Sequence, residues 1–129
     1  MPVSETDYHK FQVDDWEIVV GKTARANDHL SIKIGRPMDF WFHIAGMPGS
    51  HVIARHPDHP AKCPREVRRV AAGLAAYFSK ARSGGNCTVH WTTCSQVKKR
   101  GGSPDGQVLL KKFEVMKVKP VNPDQLAEG

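Results

Sequence analysis

The side chains best suited to chemistry occur in two short, mostly apolar segments near the middle of the chain. In the first segment, the alternation of an extended strand places Asp39, Trp41 and His43 on one face. An antiparallel register that sets His43 opposite His51 also sets Arg55 opposite Asp39, and this opposite-charge pair favours that register. The resulting face combines an indole, two imidazoles and a guanidinium, which are groups that stack on nucleobases or contact phosphate.

The same residues also have a structural interpretation. Trp41 can be covered by a helix, and His43 and His51 can be hydrogen-bonded groups that support the fold. Between the two segments, Gly49 and Ser50 lie in a turn where backbone amides can approach an anion closely. A plain hairpin loop explains that turn equally well, so the pattern by itself leaves both interpretations open.

Two groups of cations lie outside these segments. Arg65, Arg68 and Arg69 open the longest helical pattern, where the helix dipole favours anions and disfavours cations. A bound phosphate would compensate this misfit, although Glu66 and solvent can also tolerate it. Residues 98–102, of sequence KKRGG, predict a basic flexible loop that can follow a nucleic-acid backbone, with a solvated charge run as the alternative.

The first hypothesis is that these residues bind a nucleic acid without catalysis. The second is an enzyme, in which Asn27, Asp28, His43 and His51 act on a nucleic-acid or phosphorylated substrate. The sequence contains no G-x-S-x-G elbow, Walker A loop, H-E-x-x-H pair or paired-carboxylate signature. We therefore expect no catalytic residues and no cofactor.

A metal site would need donors from a proline-rich connector. His56, His59 and Cys63 could supply three zinc ligands, but their spacing matches no familiar zinc motif. The three cysteines form no C-x-x-C pair, which argues against both a zinc ribbon and a disulfide framework. We expect reduced thiols and no metal.

These candidate residues need elements that bring them together, and the patterns predict an α+β domain. Apolar residues at three-to-four spacing, preceded by Pro64 and followed by a Gly-Gly pair, predict one long helix over about residues 64–82. Asn27 and Asp28 can cap a short helix over about residues 28–34. We expect a mixed, largely antiparallel sheet of about five strands, packed against these helices. The predicted strands cover residues 11–20, 39–44, 50–55 and 87–93, and residues 108–118 are predicted to form one or two closing strands.

The length of 129 residues and the hydrophobic content of 40% match one domain over residues 1–129. We expect a core over about residues 14–120, with Phe40, Phe42 and Ile44 inside it, and flexible termini. The sequence shows no signal-peptide pattern and no apolar stretch long enough to span a membrane. We therefore expect a cytoplasmic protein with no membrane partner.

The net charge of +6 is distributed unevenly along the chain. Residues 1–20 carry five acids against Lys10, whereas residues 21–100 carry fourteen Lys or Arg residues against four acids, and the remainder is balanced. Such a concentration of positive charge is typical of a protein that binds a polyanion, most commonly a nucleic acid. A module that docks an acidic protein partner is the third hypothesis.

Several motifs together resemble the RNA-binding domain of the NFACT family. The first extends from Gly21 through Arg25 and the Asn27-Asp28 pair to Leu30. The others are the strand Asp39-Phe-Trp-Phe-His43, the turn Pro48-Gly-Ser-His51, Ser79 with Ala81-Arg82, Val97-Lys98-Lys99 and the glycine of Pro104-Asp105-Gly106. The resemblance covers about residues 14–120.

This resemblance implies a module that binds RNA. Long family members are ribosome-associated quality-control factors that bind tRNA on the obstructed large subunit, and they also carry an N-terminal domain and coiled coils. We expect a stand-alone form whose partner is tRNA or rRNA, with the large ribosomal subunit as a further candidate, and the sequence leaves the oligomeric state open. The predicted nucleic-acid contacts are Lys22, Arg25, Asn27, Asp28, Trp41, His43, Gly49, Ser50, His51, Arg55, Arg65, Arg68, Arg69, Lys98, Lys99 and Arg100. Among these, Trp41, His43 and His51 are the predicted base contacts.

Overall fold

A seven-stranded sheet extends through the part of the chain that the computed structural model describes, residues 5–128. Its strands are β1 (Tyr8–Val13), β2 (Trp16–Gly21), β3 (Phe40–Ile44), β4 (Val52–Arg55), β5 (Cys87–Thr93), β8 (Glu114–Val118) and β9 (Ala127–Glu128). Their order in the sheet is β8-β5-β3-β4-β2-β1-β9, and every pairing between them is antiparallel. A separate two-stranded ribbon pairs β6 (Val97–Lys98) with β7 (Leu109–Leu110).

The α+β class and the antiparallel character are confirmed, but the strand predicted over residues 11–20 is two strands. The chain reverses at Asp14, which adopts a left-handed backbone with φ of 50°. Aspartate tolerates this conformation better than most residues, so a tight turn can form there. The predicted flexible termini fall partly on residues 1–4 and 129, which lie outside the described residues.

The register predicted for the central hairpin is confirmed. Trp41 pairs with Ile53 across β3 and β4. The guanidinium of Arg55 lies 2.7 Å from a carboxylate oxygen of Asp39, which is the opposite-charge pair that favoured this register.

Helix α2 (Arg65–Tyr77) covers one face of the sheet and is shorter than the predicted 64–82 helix. The apolar side chains predicted for the core, Phe40, Phe42 and Ile44, pack under it. The helix ends because the following residues bond to the 47–51 turn instead. The carbonyl of Phe78 accepts from the Ser50 amide, and Ser79 forms a bridge with Gly49.

The opposite face of the sheet is covered as well. Helix α1 (Ala24–His29) continues into a wider π-helical turn (Leu30–Ile34), and together with the ribbon it packs on Trp41 and Ile53. The helix begins earlier than the predicted residue 28. Its cap is Thr23, whose hydroxyl accepts from the Ala26 amide, and not the Asn27-Asp28 pair.

Within residues 5–128, none of the helices has the length and apolar character needed to cross a membrane.

Candidate nucleic-acid interface

An open groove of about 1190 Å³ lies where the ribbon, the start of α1 and the 47–51 turn meet the sheet. The residues after α2 close its far side. Seven of the sequence-predicted contacts line this groove, namely Lys22, Asn27, Trp41, His43, Gly49, Ser50 and His51. The fold therefore brings together residues that are far apart in the sequence.

The innermost part of the groove is a chain of hydrogen bonds through His51. The indole N–H of Trp41 donates to the Ser31 hydroxyl over 2.7 Å, and that hydroxyl lies 2.7 Å from Nδ1 of His51. Nε2 of His51 lies 3.2 Å from the carbonyl oxygen of Gly106, which can only accept. The network therefore assigns the proton of His51 to Nε2, with Nδ1 accepting from Ser31.

Burial keeps this network neutral. The His51 side chain is 1% exposed, and its burial together with the nearby His43 lowers its pKa to about 4. Burial also lowers the pKa of His43. A neutral His51 with both ring nitrogens in hydrogen bonds supports the fold at neutral pH.

Asn27 is a second structural anchor of the groove. Its side-chain oxygen accepts from the His51 amide over 3.0 Å, and its amide group donates to the Gly49 carbonyl over 3.4 Å. A Cβ on Gly21 would lie 2.1 Å from the Asn27 oxygen, so only glycine leaves room for this contact. Asn27 thus connects α1 to β2 and to the 47–51 turn.

The predicted base contacts need correction at two positions. Trp41 and His51 are each 1% exposed, so neither ring offers a face on which a base could stack. Their prediction as base contacts is wrong because α1 and the ribbon cover this part of the sheet. His43 is half-buried and lines the groove, so its contact with RNA stays a prediction.

Two predicted phosphate contacts are engaged inside the protein. Arg55 donates from Nε to Asp39 over 2.8 Å and from its terminal nitrogen to the Ile34 carbonyl over 2.7 Å. Nζ of Lys99 lies 3.0 Å from the Asp28 carboxylate and 2.9 Å from the Gln107 carbonyl. Arg55 therefore links the sheet to the π-helical turn through the Ile34 carbonyl. Lys99 links the segment that follows β6 to α1 through Asp28.

The three predicted arginines of α2 lie apart from the groove. They border a separate depression beside β8, on the face of the sheet that α2 covers. Arg68 stacks over the Trp91 ring at 5.1 Å, and Arg69 pairs with Glu66 at 2.6 Å. Their contact with RNA stays a prediction, but it concerns a second surface.

The groove also contains residues that the sequence reasoning missed, namely His9, Lys80, Arg82, His90 and Phe113. The Lys80 and Arg82 charges at the end of the predicted 64–82 helix were a signal for two of them. No local pattern indicated that His9 or Phe113 would reach the same groove, because His9 lies on β1 and Phe113 just before β8, at opposite ends of the sequence.

The charged side chains that line the groove are mostly cationic. Lys22, Lys80 and Arg82 are exposed, whereas Asp105 is the anionic member of the described lining. Arg25 on α1, Lys98 of the ribbon and Arg100 in the loop that connects the two ribbon strands are exposed as well. The groove thus has a cationic rim around a floor of imidazole and apolar groups.

The zinc alternative gains no support from the described residues. Among residues 5–128, no three His, Cys, Asp or Glu side chains are placed to share a metal ion. His56 instead accepts from the Asp58 amide, and His59 bonds to Arg36.

Comparison with known proteins gives a consistent family relationship. Residues 7–112 match the family described as the NFACT protein RNA binding domain. The Rqc2 homolog RqcH of Bacillus subtilis strain 168 is 35% identical over 103 residues, and that of Streptococcus suis strain 05ZYH33 is 36% identical over 103 residues. Each alignment covers 80% of this chain but 17% and 18% of the relatives, so the chain spans less than a fifth of their length.

A solved structure shows the same fold. The C-terminal part of the fibronectin/fibrinogen-binding protein from Streptococcus suis superposes with a TM-score of 0.86 at 29% identity. The superposition covers 97% of this chain and 51% of the solved one.

Proposed function

Since the chain belongs to the family of NFACT protein RNA-binding domains, we propose that it binds RNA through the cationic rim of the groove. The observation that carries this proposal is the charge of the rim. In the described groove lining, three cations, Lys22, Lys80 and Arg82, outnumber one anion, Asp105. Clustered exposed cations attract phosphates and release counterions when they bind them. The exposed Arg25, Lys98 and Arg100 extend this surface along α1 and the ribbon.

The role we propose is binding without catalysis. The buried histidine nearest the groove floor, His51, is neutral and has both ring nitrogens in hydrogen bonds. Asn27 and Asp28 are engaged by His51 and Lys99, respectively. Three of the four residues of the enzyme hypothesis thus hold the groove in shape, and the fourth, His43, lines it.

We propose tRNA or large-subunit rRNA as the RNA, and ribosome quality control in the cytoplasm as the setting. The support is the likeness to two proteins named as Rqc2 homologs. Sequencing of RNA crosslinked to the protein in cells tests this assignment. Enrichment of tRNA or large-subunit rRNA would support it, and a flat distribution over cellular RNA would contradict it.

The location of the interface can be tested with two charge-matched variants. The first replaces Lys22, Lys80 and Arg82 with alanine, and the second replaces Arg65, Lys117 and Lys119, which are exposed and border the depression beside β8. Both remove three positive charges, so a nonspecific charge effect would be equal. Fluorescence anisotropy with a labelled tRNA should show a large loss of affinity for the first variant only. Equal losses, or a larger loss for the second, would refute the groove as the interface.

A further inference from the structure

The cover on the groove face of the sheet ends before the last strand. His43, His90 and Val115 lie side by side in register across β3, β5 and β8. Beside His43 on the inner side is the ring of His51, 5.2 Å away and 1% exposed. Along this row exposure increases outward, through the half-buried His43 and His90 to Val115, which is 57% exposed.

This open end of the sheet is apolar and aromatic. Phe113, just before β8, is 46% exposed, and Leu109 of the ribbon is 47% exposed. Rings of Phe113 and His90 are in contact, with centroids 4.3 Å apart and planes inclined by 35°. Phe113, His90 and Leu109 all line the groove, so this surface is continuous with the cationic rim.

We propose that Phe113, supported by His90, is a stacking platform for an unpaired nucleobase of the bound RNA. This inference rests on the proposed function and deepens it, because it assigns the base contact that Trp41 and His51 cannot make. An exposed aromatic ring stacks on any base, since every base has a π face. A base inside a duplex has both faces covered by its neighbours, so the platform selects single-stranded segments, loops or bulges.

Charge decides between RNA and an apolar protein segment as the occupant. The groove that contains Phe113 is lined by three cations, Lys22, Lys80 and Arg82, and by one anion, Asp105. A strand whose base stacks on Phe113 carries a phosphate at every nucleotide, which this rim can neutralise. A hydrophobic peptide would gain the same apolar contact but would bring no anion to these cations.

The platform can be tested by replacing the ring while keeping an apolar side chain. The Phe113→Leu variant should bind a short labelled oligouridine about 5- to 150-fold more weakly than the wild type, as expected for one lost stacking contact. Phe113→Trp keeps an aromatic face and should restore binding. Met38→Leu, at another exposed apolar residue, should bind like the wild type. A fully paired RNA duplex should bind all four proteins equally.

The slope of log affinity against log salt separates this inference from the proposed function. Phe113→Leu should keep the slope of the wild type, because it removes no charge, whereas the Lys22, Lys80 and Arg82 triple variant should flatten it. If the wild type binds oligouridine and Phe113→Leu binds it as strongly, the platform is refuted and the proposed function stands. If the wild type binds neither the oligouridine nor the RNA duplex at any salt concentration, the platform and the proposed function are both refuted. Circular dichroism should show that each variant is folded.

Discussion

At the scale of single residues, the interior of the groove depends on a histidine that must stay neutral. His51 accepts from Ser31 at Nδ1 and faces a carbonyl at Nε2, so each ring nitrogen has the partner that suits a neutral ring. Protonation would turn Nδ1 of His51 into a donor. It would then face the Ser31 hydroxyl, whose own proton already points toward the ring. The Ser31 hydroxyl would have to rotate, and the buried positive charge would lack a counterion in direct contact.

This arrangement predicts a stability that depends on pH. The pKa of His51 is about 4 in the folded protein against 6.5 for an ordinary histidine, so between these values the unfolded chain binds more protons. The free energy of unfolding should therefore be highest above pH 6.5 and fall as the pH decreases toward 4, by up to about 3 kcal/mol. Urea unfolding at a series of pH values measures it.

The control for this prediction is His51→Gln, which cannot titrate. The variant should be less stable than the wild type at neutral pH, because glutamine cannot reproduce both hydrogen bonds. Its stability should vary less across the same pH window, with the remaining change arising from His43 and His9, whose pKa values burial also lowers. An identical pH dependence in both proteins would show that His51 does not titrate as described.

At the scale of elements, the contact between β2 and α1 allows no side chain at Gly21. Gly21→Ala would place its Cβ 2.1 Å from the Asn27 oxygen and displace the acceptor of the His51 amide. We expect a loss of about 1–3 kcal/mol in the free energy of unfolding, as for other overpacked sites.

Gly85→Ala is the matched control, because a Cβ there meets nothing within 4 Å. In the Asn27→Ala background, the cost of Gly21→Ala should largely disappear; full additivity would contradict the proposed clash.

The attachment of the ribbon to α1 predicts different behaviour for two adjacent lysines. Lys99 bonds to Asp28 and to the Gln107 carbonyl, whereas its neighbour Lys98 is exposed. Lys99→Ala should therefore speed amide exchange in residues 97–110 without a comparable change in the sheet, because it removes a tether between two elements. Lys98→Ala is the control and should leave exchange unchanged. Hydrogen exchange read by mass spectrometry decides the matter, and equal protection in both variants would refute the tether.

At the scale of the whole molecule, two separate surfaces each carry a cluster of positive charge. The groove and the ribbon carry one set of cations, and the depression beside α2 and β8 carries the other. A count along the chain cannot separate them, because Arg65 and Lys80 both fall within the net-positive segment of residues 21–100. RNA bound in the groove should neutralise only the first set.

The salt dependence of RNA binding measures how many phosphates that set neutralises. For about five phosphates on single-stranded RNA, log affinity should fall with log salt at a slope of about −3.5. Replacing the exposed Lys98 and Arg100 with alanine should flatten the slope by about 1.4, at roughly 0.7 per phosphate contact. Replacing Lys33 and Lys62, two exposed lysines that belong neither to the groove lining nor to the segment of residues 97–110, is the matched control and should leave it unchanged. A wild-type slope near zero would exclude binding driven by phosphates.

Local patterns in the sequence were sufficient for the class of the fold and for its central register. Alternating apolar residues defined β3, and the charges of Asp39 and Arg55 fixed its pairing with β4, because adjacent antiparallel strands place such residues opposite each other. The motifs were also sufficient for the family, since the family match covers residues 7–112.

Only the tertiary structure decided which side chains of the predicted site are exposed. Alternation places Trp41 and His43 on the same face, but it does not say whether a second layer covers that face. Residues 24–34 and the ribbon provide that layer over Trp41 and His51, and it ends before Val115 and Phe113. Because those covering segments lie outside β3 and reach it only through the tertiary fold, no pattern within the strand could show that the exposed aromatic ring of the groove is Phe113 and not Trp41.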